Sequence, residues 1–105
     1  MFLSDYETIY ILKPDATEQI NLSIVNYYKK FIKIKGGKNI VVQHRGRRHL
    51  SYNIKHYYDG IYIQMNYQAN GELIKLLEKS MRFNLNIIRC LTTKYNSLNS
   101  INLES

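Results

Sequence analysis

Residues 44–49 read HRGRRH, three arginines and two histidines in six positions with no acid among them. A guanidinium group is planar, always charged, and donates in a fork that matches the oxygens of a phosphate. Arg45, Arg47 and Arg48 around Gly46 therefore point to anion recognition, with the glycine letting a backbone come close. Tyr52, Tyr57, Tyr58 and Tyr62 follow, and tyrosine interleaved with arginine suits base stacking as well as phosphate contact. Other chemistries lack their residues. His44 and His49 are five apart, on opposite faces of a regular strand, and neither they nor His56 have a carboxylate placed to complete a metal site. Cys90 is the only cysteine, which excludes an internal disulfide; with no histidine to activate it, it reads as a small buried apolar residue. No nucleophile elbow, glycine-rich phosphate loop or carboxylate pair appears, so no catalytic, metal or cofactor-binding residues are expected.

The charge around this stretch is one-sided. The formal net charge is +7 over 105 residues. Between Glu18 and Asp59 there is no acidic residue, yet Lys29, Lys30, Lys33, Lys35, Lys38, the three arginines and Lys55 all lie there. Such a block repels itself in the free protein and becomes favourable against a polyanion. It crosses Gly36-Gly37 and enters a strand, so it does not read as a membrane-surface helix. No apolar run is long enough to span a membrane.

A scaffold must hold these groups. Residues 6–12 are β-branched and aromatic, with apolar side chains on both parities, which predicts a central strand. Pro14 ends it, and Asp15 with Glu18 reads as a capping box for a helix whose buried stripe is Ile20, Ile24, Tyr27 or Tyr28, Phe31 and Ile32. Gly36-Gly37 stops that helix. Residues 39–52 predict a long second strand interrupted near Gly46, with Arg45 and Arg47 on one face and Arg48 on the other. Residues 53–59 connect it to a third strand over 60–67, where Ile61, Ile63 and Met65 share a face. Asn70 caps a second helix with Leu73, Leu76, Leu77 and Met81 inward. Residues 84–86 turn into a fourth strand over 87–95, with Ile88, Cys90 and Thr92 on one side and Ile87, Arg89 and Leu91 on the other. Tyr10 and Tyr28 are expected in the core. The order β-α-β-β-α-β predicts an α+β, ferredoxin-like split βαβ sandwich: a four-stranded antiparallel sheet, both helices on one face, the other face open to a partner. Residues 1–95 are expected to form a single RNA-binding domain and residues 96–105 a short polar tail.

YETIYILKPD, the Gly46-Arg47-Arg48-x-Leu50-x-Tyr52-x-Ile54 element, Arg82-Phe83-Asn84 and Ile87-Ile88-Arg89 together resemble the bacterial-type ribosomal protein six family of the small subunit, over Tyr6 to about Tyr95. The Gly-Arg-Arg element is the specific part. The resemblance implies a ferredoxin-like fold without catalysis, bound to 16S rRNA in the central domain, on the platform, beside ribosomal protein eighteen. It carries Arg47, Arg48, Tyr52 and Arg89 onto the surface that meets RNA or the neighbouring protein. Arg45, Lys38 and Lys55 join that candidate set by charge. Bacterial relatives often end in a longer acidic tail; the tail here is short and nearly neutral.

Two other readings use the same fold. A protein-only interaction module would use the open sheet face. An acylphosphatase-like hydrolase would need an arginine-bearing loop after the first strand, where this chain has KPDATEQ. The opening MFLSDYETIYILK resembles neither a signal nor a transit peptide, and a lone cysteine fits a reducing compartment. Ile, Asn, Lys and Tyr are abundant and lysines outnumber arginines ten to five, as AT-rich codons produce. These features predict a ribosome of the plastid (chloroplast) stroma, with the cytoplasm of an AT-rich bacterium as the alternative.

Overall fold

β-branched and aromatic residues crowd the strand segments, and a computed structural model, which describes residues 3–95, folds them into one sheet. The elements are β1 (Ser4–Leu12), α1 (Glu18–Ile34), β2 (Lys38–Ile54), β3 (Tyr57–Ala69), α2 (Gly71–Arg82) and β4 (Ile87–Tyr95). The strand order is β2-β3-β1-β4 and every pairing is antiparallel. This is the ferredoxin-like split βαβ arrangement that the sequence predicts. The predicted tail over 96–105 lies outside the described residues.

Alternation along the two central strands builds the core. Tyr10 and Leu12 of β1 and Ile63, Met65, Tyr67 and Ala69 of β3 face Ile24, Val25, Tyr28 and Ile32 of α1 and Leu73, Ile74, Leu77 and Met81 of α2. Tyr10 and Tyr28 are fully buried and meet edge to face, their ring centroids 6.0 Å apart. Thr8, the buried polar residue of β1, shares its hydroxyl with Tyr67 Oη at 2.7 Å and Thr92 Oγ1 at 2.9 Å. Burying that hydroxyl is tolerable because both contacts are made.

Helix ends follow local chemistry, with one displacement. Thr17, not Asp15, caps α1: its Oγ1 accepts the Ile20 N–H at 3.2 Å, and Glu18 becomes the first helical residue. The buried stripe is accordingly Ile24, Val25, Tyr28 and Ile32, while Ile20 and Tyr27 stay exposed and Phe31 is half-buried. Asn70 caps α2 as predicted, Oδ1 accepting the Leu73 N–H at 2.8 Å; Ile74 turns inward where Leu76 was expected. After α1, Gly36 takes φ +98°, the left-handed stop. Gly37 N–H then donates to Ile32 O at 2.7 Å, and a Cβ there would strike Ile32 Cγ2 and lie 2.9 Å from Ile32 O. A register shift opposite Ile11 and Leu12 turns Ile87 toward the helices and into the core, not to the side of Arg89 and Leu91.

Two outcomes follow from this packing. Gly37→Ala lowers the unfolding free energy by about 1–3 kcal/mol, because the strand entry must shift away from Ile32; urea denaturation with an unchanged midpoint would contradict the close approach. Burial pushes the Tyr67 hydroxyl up to about 12, against the opposing hydrogen bonds from Thr8 and Thr92, and burial with neighbouring Tyr28 also raises that of Tyr10. Both folded values lie above the ordinary value of 10.0, so the unfolded chain releases these protons first. Stability present below about pH 10 is therefore lost as pH rises through 12. Tyrosinate absorbance should show a late fraction of the ten tyrosines, Tyr10 and Tyr67 among them, ionising only together with loss of the circular-dichroism signal.

Candidate nucleic-acid interface

The face of the sheet away from the helices is set by strand pairing. Across it run Gly46–Tyr62–Ile11–Arg89, then Gln43–Gln64–Ile9–Leu91, then Val41–Asn66–Glu7–Thr93. Cys90 packs against the core on the opposite side, so Arg89 does point out of the open face.

A bulge in β2 decides where the arginines go. His44 pairs with Ile63 and Gly46 with Tyr62, so two steps on β2 match one on β3. Gly46 has φ +85°, which glycine adopts without a Cβ clash. The alternation inverts there. Arg45 and Arg48 share the open face, whereas Arg47, paired with Ile61, lies on the other side. This corrects the expectation that Arg45 and Arg47 share a face. It also puts His44 and His49 on one side, since His49 pairs with Asp59 in the same parity as Arg47 with Ile61.

Each arginine has a different partner. Arg45 donates through Nε and Nη2 to Gln64 Oε1 at 3.0 and 2.8 Å. Gln64 Nε2 in turn donates to Asn66 Oδ1 at 2.9 Å. Arg48 lies over the Tyr62 ring, 6.0 Å from its centroid, and its Nε donates to Arg45 O at 3.4 Å. These partners are neutral, so they position the guanidinium groups without cancelling their charge. Arg47 differs: its Nη2 is 3.5 Å from Asp59 Oδ2, and His49 Nδ1 is 2.6 Å from the other Asp59 oxygen. Asp59 thus offsets charge on the helix side of the hairpin.

Between His49–Asp59 and Ile54–Tyr57, β2 spends four residues where β3 spends one. The surplus bows out, and Tyr52 Oη accepts from Arg89 Nη1 at 3.1 Å, joining the hairpin to the far edge strand. A cavity of about 270 Å³ lies beneath, lined by Ile9, Ile11, Leu50, Tyr52, Ile54, Tyr62, Arg89 and Leu91 among others. It shares the walls Ile9 and Tyr62 with a cavity of about 290 Å³ lined also by Arg45, Arg48 and Gln64. Lys55 sits in the hairpin turn with φ +51° and reaches a third cavity beside Arg82 and Arg89. Lys38 is not brought to this cluster. It starts β2, ten residues before Arg48, roughly 30 Å away along an extended strand. The structure therefore unites Arg45, Arg48, Tyr52 and Arg89, with Lys55 beside them, and separates Arg47 and Lys38. Gln64 was missed from sequence; its place in the alternation of β3, one residue from Ile63, was the available signal.

Among the described residues no group of His, Cys, Asp and Glu could hold a metal. Burial raises the Cys90 thiol above its ordinary value, which opposes thiolate chemistry.

The family described as Ribosomal protein S6 matches residues 5–94. Small ribosomal subunit protein bS6c of Gracilaria tenuistipitata var. liui is 56% identical over 103 residues, 98% of this chain and 100% of that protein. The bS6c protein of Pyropia yezoensis is 61% identical over 92 residues, 88% of this chain and 84% of that one. The crystal structure of 30S ribosomal protein S6 from Thermotoga maritima superposes with a TM-score of 0.87 at 27% identity, covering 97% of this chain and 96% of that one. With sequence and fold matching over nearly its whole length, the chain belongs to the ribosomal protein S6 family of the small ribosomal subunit, a family of structural components and not of enzymes.

Proposed function

We propose that the chain binds 16S rRNA of the central domain through the open-face arginines, together with ribosomal protein eighteen, on the platform of a plastid small subunit. The observation that carries this is the charge state of the cluster: Arg45, Arg48 and Arg89 are held by an amide, an aromatic ring, a carbonyl and a phenol, none of which neutralises them. Phosphate oxygens supply what is missing, and Tyr52, 63% exposed, offers a ring for stacking. Arg47 is a secondary contact, because Asp59 competes for it. Exposed Leu91 beside Ile9 gives the protein partner an apolar seat on the same face. Residues 1–95 serve as the single RNA-binding domain. The plastid setting is supported by the bS6c relatives from red algae and by the lysine-rich, AT-type composition.

Filter binding to a transcribed central domain tests the reading. With about five phosphates neutralised, log affinity falls against log salt with a slope of about −3.5 to −4.5, or more steeply where further contacts exist. A flat response overturns it. Arg45→Ala and Arg48→Ala should each flatten the slope by ~1, whereas Arg47→Ala should change it by less. Equal effects at all three positions would show that the bulge does not divide them. A nucleic-acid-free, salt-indifferent complex with a protein partner would favour the protein-only module instead.

A further inference from the structure

α1 carries a second concentration of charge. Lys29, Lys30 and Lys33 line a groove of about 300 Å³ with Asn26 and with Ile40 of β2. All three lysines are exposed, and no carboxylate among the described residues lies within ion-pair distance of them. Helix-dipole compensation accounts for Lys33 in the last turn. It does not account for Lys29 and Lys30, because the dipole's effect fades within one turn. Spacings of three and four residues set Lys33 beside both others, and like charges so placed oppose the helix. Tyr27, one turn before Lys30, is 55% exposed. The helices cover one face of the sheet and Arg45 and Arg48 lie on the other, so the lysines and these two arginines flank edge strand β2 from opposite sides.

We infer that the α1–β2 groove is a second phosphate-backbone site, and that the chain grips RNA on both sides of edge strand β2, joining two RNA segments. The inference rests on the RNA-binding reading above. Lys38 pairs with Gln68 in the open-face row of Asp5 and does not line this groove.

The test compares the full wild-type chain with two variants on the transcribed 16S central domain: Lys29→Ala/Lys30→Ala/Lys33→Ala and Arg45→Ala/Arg48→Ala. Circular dichroism first confirms that each is folded. The lysine variant should flatten the salt slope by about 2 to 3 units. Replacing the same lysines by arginine should restore it. Hydroxyl-radical footprinting should show the two alanine variants losing protection at different RNA segments. A lysine variant with wild-type slope and footprint, or loss of one common segment in both variants, overturns the inference while the arginine site stands. Normal rRNA binding with failed entry into subunits would assign the patch to an acidic protein surface, and also overturns it. A wild-type chain without salt-dependent affinity overturns both readings.

Discussion

One left-handed residue in an edge strand organises the arginine-bearing surface. At φ +85°, Gly46 lets β2 gain a residue against β3 without breaking the ladder on either side. Any side chain there would cost roughly 1–2 kcal/mol in that backbone region. Without the extra step, Arg47 would take the open face and Arg48 the helix side. Arg47 would then lose Asp59, and Arg48 would lose the Tyr62 ring. The bulge thus sorts three adjacent like charges into two uncompensated groups on one side and one offset group on the other.

What holds the uncompensated groups matters as much as where they point. A free arginine has about 2 kcal/mol of side-chain entropy to lose on binding. Gln64 takes part of that cost during folding, because its amide receives two donors from Arg45 while its own N–H group is anchored on Asn66. A carboxylate in place of the amide would order the side chain equally and remove its charge. Neutral partners therefore leave the cluster both preorganised and electropositive. The Tyr52–Arg89 bond does the same across the sheet, fixing the bowed hairpin with a phenol.

Much of this fold was legible because its determinants are local. The alternation of Ile61, Ile63 and Met65, the cap at Asn70 and the stop at Gly36 depend on neighbours a few positions away. Face assignments beyond Gly46 were not, although the glycine itself marks a bulge, because one inserted residue inverts the side chains that follow and its count is set by the partner strand. The cap of α1 failed for a related reason. Asp15 and Thr17 are both capable acceptors, and sequence alone does not rank them; Thr17 makes the bond and Val25 joins the buried stripe. The Tyr52–Arg89 contact spans 37 positions and two sheet edges, and no local pattern encodes it.

The open face is also electrically polarised along its strands. Asp5 and Glu7 occupy one end of the β1 row, Ile9 and Ile11 follow, and the arginines flank the other end. Asp5 to Ile11 spans six residues, roughly 20 Å, about two Debye lengths at physiological salt, so the two ends act nearly independently. Two copies meeting face to face in parallel would set Arg45, Arg48 and Arg89 against themselves near Ile9 and Leu91, where apolar walls weaken screening. The antiparallel meeting would oppose acids to arginines, yet three cations against two acids leave charge unpaired over a surface that carries exposed Leu91. Charge thus makes the uncovered face a poor match for its own copy, so the same residues that the proposed RNA contact would use oppose self-association.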